Sequence, residues 1–519
     1  MQRPLKRQRT DGAAPDSLSR PISPPSHKRQ RASEKRVFRS PFQLTWIRDL
    51  PPHLNQDALS LKDLLGNPLI RECWQFNFLH DVPFLMNAFD PDTRHLVKVH
   101  IVHGFWKSDD PRRLMLSQEA SEFSNVRLHS APMPEMFGTH HSKMMVLFRH
   151  DGTAQVIIHT ANMIAKDWTN MTNAVWRSPL LPKLDESSST ASEASAFAPF
   201  GSGHRFKSDL LRYLKSYDRH KRICKPLADE LAQHDFFSVK GALVASVPGK
   251  HDMNAQPEAA WGWAALKSRL QSISCDEGDS EIVVQISSMA TLGAKDDWLQ
   301  KTLFGSLAGG GKGTAKRPSF KVVFPTADEV GRSLDGYASG GSIHTKIQSQ
   351  QQAKQLGYLE PMLHHWANDS HDGRELPSGS GILDGGRQRA APHVKTYIRY
   401  NEKRTIDWAL LTSANLSRQA WGEAGKSTGE MRIASWEIGV LVWPELYGQG
   451  SVMVGSFQSD TPGSGPETGA GGGSAIVGLR IPYSLPLQRY GPHEVPWVAS
   501  MNHSEPDCQG RIWEVQRRV

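Results

Sequence analysis

Two short stretches of this 519-residue chain repeat the same three residue types at nearly the same spacing. His141-x-Lys143 is followed, nineteen residues after the lysine, by Asn162. His393-x-Lys395 is followed, twenty residues after its lysine, by Asn415. The second copy begins 252 residues after the first, and in each a Trp stands six positions past the Asn, Trp168 and Trp421. A repeat of so long a period predicts two half-domains about a pseudo-twofold axis, each supplying half of one site. The residue types suit a phosphodiester. Two lysines and two asparagines can hold the non-bridging oxygens of an anion. Two imidazoles, which titrate near neutrality, can act as a nucleophile and as a general acid and base. A lone histidine is more often a satisfied structural residue, but two in matched repeats are not independent accidents. His-x-Lys is not a zinc spacing and two lysines repel a cation, so neither metal nor cofactor is expected. The pairs His140-His141 and His364-His365 are the alternative, metal-ligating reading. Trp168 and Trp421 read as core anchors.

These residues need elements to place them. Leu96–Gly104, Lys143–Phe148 and Val156–His159 read as strands, apolar and β-branched. Leu59–Leu65 reads as a short helix with Ser60 near its start, Phe206–Tyr217 as another, and Pro226 opens a third. In the second half, Ile282–Ile286, Lys321–Pro325, Trp408–Leu411 and Ile438–Val442 are strands, with helices expected at Ala259–Ser272 and Asp296–Gly305. Strands alternating with helices imply an α/β layered fold in each half. The expected division is a basic tail at 1–39, one lobe at 40–240 and a second at 241–519. Ser187–Ala198, Ala308–Ala315, Ser370–Arg389 and Ser456–Ser474 are rich in small residues and read as exposed or mobile loops.

Residues 1–40 hold 11 Lys+Arg against 3 Asp+Glu, a net of +8. The whole chain is also +8, so the remainder balances and any nucleic-acid site in it must be a local patch. The clusters Lys6-Arg7-Gln8-Arg9 and Lys28-Arg29-Gln30-Arg31 stand in a Pro/Ser-rich, aromatic-poor stretch. They read as a nuclear import signal in a disordered tail, with a generic basic arm as the bland alternative. There is no apolar run of about 18 residues for a membrane span and no secretory signal. Cys73, Cys224, Cys275 and Cys508 are widely spaced, which fits a reducing compartment.

His-x-Lys twice, each with a downstream Asn, resembles the phospholipase D superfamily. Most members carry an Asp five residues after the lysine; here Phe148 and Tyr400 stand there. That departure, with Gly138–Met145 and Thr412–Ser417, resembles the tyrosyl-DNA phosphodiesterase family, from about Pro41 to Trp497. The resemblance implies two α/β/α sandwich lobes with the site in the cleft between them. It implies His141 as nucleophile toward a DNA 3′-phosphate, and His393 as the acid for the leaving tyrosine and then the base for water. Lys143, Lys395, Asn162 and Asn415 match the phosphate-binding set, and Glu437 a carboxylate that orients the nucleophilic imidazole. Asn173 stands where the family has Gln; one methylene shorter, it predicts a longer or water-bridged bond to the second histidine. Phe137, Ser288, Thr291 and Ser417 match contacts to the DNA strand. Core packing is the other reading of Phe137, and a structural ion pair that of Glu437. The expectation is a nuclear, monomeric DNA-repair phosphodiesterase acting on single- or double-stranded 3′ ends that carry tyrosyl or peptide adducts, such as a topoisomerase I-derived peptide. A lipid phosphodiesterase and a non-catalytic DNA-end-binding module are the rivals. The two missing Asp residues count against the first, and the complete six-residue set against the second.

Overall fold

The computed structural model describes residues 36–184, 198–219, 221–254, 256, 260–309, 316–345, 347, 349–369, 381–425, 429–463 and 475–515. The import clusters, nearly all of Ser187–Ala198 and much of the three glycine-rich stretches lie outside these residues.

Two mixed sheets are built on one plan. In the first, Gln43–Leu44, Ala174–Arg177, Thr153–His159, Met144–Arg149, Ile70–Phe76, Lys98–His103 and Val126–Ser130 lie side by side. In the second, Ala242–Ser246, Glu437–Val442, Ile406–Thr412, Thr396–Asn401, Ser280–Gln285, Ser319–Val323 and Leu363–His364 follow the same order. The central hairpins explain the spacing read from the repeat. Met144–Arg149 pairs antiparallel with Thr153–His159, and Thr396–Asn401 with Ile406–Thr412. His-x-Lys therefore enters the first strand of each hairpin and the Asn leaves the second. Among the described residues the last strand of the first sheet is Leu181–Pro182, and apart from Val37–Phe38 the strands of the second run from Ala242 onward.

Alternation along the strands divides the apolar side chains between layers. Met145 and Leu147 join a core with the helices Leu61–Leu65 and Val82–Ala88, while Met144, Val146 and Phe148 face a core shared with the helix Gly203–Lys215. That shared core continues into the second lobe through Val283, Ile398, Leu411 and Val440. Ile282, Val284 and Leu410 pack the other way, against Gly262–Leu270 and Phe304–Ala308. Each such side chain contributes about 1.5–3 kcal/mol on burial, so both sheets are held on both faces.

Several local expectations change. A strand already lies ahead of Ser40: Val37–Phe38 pairs in parallel with Ile476–Val477 of the second sheet. The described part of Ser370–Arg389 is not loose, since Arg387 is 1% exposed and donates to Asn55 Oδ1 and Thr45 O. Likewise Asp460 is buried beside Arg480. The expected helix at Asp296–Gly305 is a π-turn, Trp298–Leu303, running into Phe304–Ala308. Ser60 caps the helix Leu61–Leu65, with Asp63 returning the bond.

Candidate active site

The lobes meet along two short backbone seams that mirror each other. Trp436 N donates to Thr139 O at 2.9 Å and His141 N to Trp436 O at 3.0 Å. Opposite, Thr172 N donates to Ala391 O at 2.9 Å, and His393 N to Thr172 O at 2.9 Å. Each histidine is thus fixed by the other lobe's backbone before its side chain is considered.

The side chains are exchanged in the same way. Glu437, at the start of its strand, holds His141: Nδ1 lies 2.9 Å from Oε2, which also accepts Ser413 Oγ at 2.5 Å. Asn173, at the equivalent place in the first sheet, reaches His393: Nδ1 lies 3.1 Å from Oδ1. That contact is direct rather than bridged, and longer than the 2.9 Å bond on His141, as the short side chain predicts. Asn173 is aimed by Thr160 Oγ1, which donates to its Oδ1 at 2.8 Å, and by its own Nδ2 donating to Asp167 O at 2.8 Å. Because these carboxylate and amide oxygens only accept, both Nδ1 atoms carry protons and both neutral rings keep a lone pair on Nε2.

The lysines match too. Both are fully buried, and each Nζ donates to the carbonyl of its own histidine, Lys143 to His141 O at 3.2 Å and Lys395 to His393 O. Asn415 Oδ1 accepts from Ser287 N and Ser288 N at 3.1 and 3.0 Å, leaving its amide donors for a ligand oxygen. Asn162 gives one amide N–H to Asp167 Oδ2 at 2.9 Å. The tryptophans repeat as well, Trp168 Nε1 donating to Asn162 O and Trp421 Nε1 to Asn415 O. Both are buried, so the expected anchors also fix the asparagine carbonyls.

Burial weakens every base in the site, and repulsion adds to it at His141, His393 and Lys395. Burial lowers Lys143 to about 8 and holds Lys395 well below its ordinary value, with Lys143 adding to the effect on Lys395. Burial lowers His141, opposed by Glu437, and lowers His393 strongly, helped by Lys395 and Lys143. Burial raises Asp167, partly offset by the Asn162 N–H. Cations crowded in low dielectric make a strong trap for one anion, which would restore the protons of both lysines and of His393 and leave the His141 lone pair free. Two nucleophilic or basic nitrogens beside such a trap can carry out in-line displacement at phosphorus.

The other named residues divide. Phe137 is 75% exposed, which removes the core-packing reading and leaves its face free to stack. Ser288 and Thr291 line a cleft of about 460 Å³ with His344 and Arg418. Ser417 caps the helix Arg418–Trp421 by accepting from Gln419 N and Ala420 N, so only its O–H proton remains for a ligand. His140 is taken by Asn77 O and Tyr217 OH, and His365 by Glu329 and Glu494. Neither pair of histidines gathers as a metal ligand set, and among the described residues no group of three or more His, Cys, Asp or Glu does. Phe148 and Tyr400 are core residues. Sequence reasoning missed Asp167. It is fully buried, its Oδ2 lying 3.2 Å from His393 Nδ1 and accepting Asn162 N at 2.7 Å. Its place beside Trp168 was the signal, but the second copy has Ala420 there and the repeat hid it.

A family model described as tyrosyl-DNA phosphodiesterase matches residues 41–491. A probable tyrosyl-DNA phosphodiesterase of Schizosaccharomyces pombe is 30% identical over 95% of this chain and 99% of its own length. Tyrosyl-DNA phosphodiesterase 1 of Arabidopsis thaliana is 29% identical over 91% of this chain and 76% of its own. The crystal structure of the yeast tyrosyl-DNA phosphodiesterase shares the fold, with a TM-score of 0.61 and 19% identity over 88% of this chain and 98% of that one.

Proposed function

The chain belongs to the tyrosyl-DNA phosphodiesterase family and is a DNA-repair phosphodiesterase, and from that premise we propose that it hydrolyses 3′-phosphotyrosyl bonds in two displacements through His141 and then water. The observation carrying this reading is the exchanged pair of histidines, each held at Nδ1 by the opposite lobe with Nε2 unclaimed. In the first step His141 Nε2 attacks phosphorus, and the P–N bond forms as the bond to the tyrosine oxygen breaks. His393, as imidazolium, gives its Nε2 proton to the departing phenolate. In the second step His393 Nε2 takes a proton from water, whose oxygen attacks phosphorus. The P–N pair returns to His141, the product is a 3′-phosphate end, and His393 is again protonated. Lys143, Lys395 and the amide donors of Asn162 and Asn415 hold the non-bridging oxygens as charge shifts. The DNA strand lies across Phe137 and the cleft of Ser288 and Thr291, and topoisomerase I-derived peptide leaves on the His393 side. The import clusters direct the protein to the nucleus, where it acts as a monomer.

The two histidines are separable. A phenolate leaves poorly with a pKa near 10, so His393→Ala slows the first step on a tyrosyl oligonucleotide. A nitrophenyl ester leaves without that proton, so the adduct forms and then waits for its missing base. A denaturing gel is expected to show a protein–DNA band for His393→Ala and none for His141→Ala. The opposite pattern would exchange the roles, and no band in either would favour direct attack by water.

A further inference from the structure

His393 has two acceptors at Nδ1 where His141 has one. Asn173 Oδ1 lies at 3.1 Å and Asp167 Oδ2 at 3.2 Å, and the ring has one proton to share between them. The two acceptors are tied together, since Asn173 Nδ2 donates to Asp167 O at 2.8 Å. Asp167 is fully buried on the helix Ala165–Thr169. Its Oδ2 also accepts Asn162 N at 2.7 Å and Asn162 Nδ2 at 2.9 Å, and its Oδ1 accepts Ser342 Oγ at 3.4 Å. One carboxylate therefore touches both the second histidine and one arm of the phosphate-binding set.

We propose that Asp167 is the positioning residue for His393, its charge supporting the imidazolium in the first step and the basicity of the ring in the second, while its other bonds set Asn162. The inference rests on the two-displacement reading above. The physical case is one of supply and demand for charge. The nucleophile His141 needs its lone pair aimed, which Glu437 does. His393 must in addition carry a full positive charge among Lys143, Lys395 and Lys166, all of which repel it. An amide oxygen offers a dipole, which is weak support for a buried cation. A carboxylate at hydrogen-bond distance offers a counter-charge. A histidine backed by a buried aspartate is a recurrent way to fix the tautomer and stabilise the imidazolium that forms. The side chain one methylene short at 173 is thus not the sole support of the acid.

The test is Asp167→Asn, which keeps size and can keep geometry. An amide oxygen in the Oδ2 place still accepts from Asn162 and His393, and the amide nitrogen then faces the Ser342 hydroxyl, which can accept. Turnover of a 3′-phosphotyrosyl oligonucleotide is expected to fall about a hundredfold, the scale of losing general acid–base assistance, with KM within about threefold. On the nitrophenyl ester the first step is expected to survive and the covalent protein–DNA band to accumulate. A merely structural role would depress both substrates alike and trap no adduct. Asn173→Ala, measured beside it, is expected to lose less than about tenfold and to trap little adduct, because Asp167 remains. Asp167→Asn turning over the tyrosyl substrate like the unaltered protein would overturn the proposal. So would Asn173→Ala trapping as much adduct as His393→Ala, a result that decides the matter even where Asp167→Asn does not melt cooperatively. A band in His393→Ala with none in folded Asp167→Asn sinks this assignment alone. No band in His393→Ala either sinks the two-displacement reading and the assignment together.

Discussion

Lys143 shows what a single residue gives up for its task. Its ammonium is fully buried, and burial lowers it from an ordinary 10.5 to about 8. The difference is about 3 kcal/mol of strain in the charged form. The sign follows from proton binding. Below pH 8 the lysine is charged whether folded or not, and the folded state bears the whole cost. Between about 8 and 10.5 the unfolded chain holds the proton more tightly, so this group's contribution to stability rises with pH. Lys143→Met is therefore expected to raise the denaturation midpoint at pH 7 while removing most turnover, an outcome that paired urea melts and rate assays would check. For the intact protein, KM is expected to rise as pH passes about 8, with proton uptake on binding visible by calorimetry in buffers of different ionisation enthalpy. At this scale the repeat made the His, Lys and Asn pairs legible, because each residue type occurs twice at matched spacing. Thr160 and Ser413 act on those residues from matched places, two before each Asn, but as different residue types, and Asp167 has no counterpart because Ala420 stands at its place.

Among the elements, the two backbone seams carry the geometry. Gly138 precedes the first seam, and a Cβ there would lie 2.0 Å from Ala434 O, a backbone atom that cannot step aside. Gly138→Ala is expected to cost about 1–3 kcal/mol by overpacking and to lower kcat about 10–100-fold as His141 shifts against Glu437. Thermal melts with steady-state kinetics would show both losses together. Its neighbour should behave oppositely. Phe137 is 75% exposed, so Phe137→Ala is expected to move stability by less than about 0.5 kcal/mol. Losing a stacked base worth about 1–3 kcal/mol would instead raise KM on single-stranded substrate. The first hairpin was readable because Met144–Arg149 and Thr153–His159 are largely apolar; of the second only Ile406–Thr412 was, since Thr396–Asn401 carries Arg399 and Asn401 among its apolar residues. The seams were not, because pairs of backbone contacts between distant loops leave no periodicity. Nor was the π-turn at Trp298–Leu303, where Phe304 N reaches back to Leu299 O. Its apolar spacing still fits an ordinary helix.

At the scale of the molecule, residues 36–43 belong to both lobes. Val37–Phe38 extends the second sheet, Gln43–Leu44 pairs with Val175 and Ala174 in the first, and Ser40 Oγ between them accepts Arg480 N at 2.8 Å. Deleting residues 1–35 is expected to leave turnover of a short oligonucleotide intact and to abolish nuclear accumulation. Deleting 1–45 is expected to lower the melting temperature as well, which a thermal scan beside a localisation assay would separate. A two-residue strand inside a basic arm has no pattern to announce it, so the sequence placed the tail's end too late. The bond from Ser40 to Arg480 spans 440 positions. At roughly 5–20 residues per second, a ribosome needs roughly 20–90 s to travel between them. For that interval the first strand of a nascent chain has no partner, while the basic arm ahead of it is already outside the exit tunnel. A stop codon before Ile476 would leave that strand unpaired for good, so a lesion near the end of the message would be felt at Val37 and Phe38 of the product.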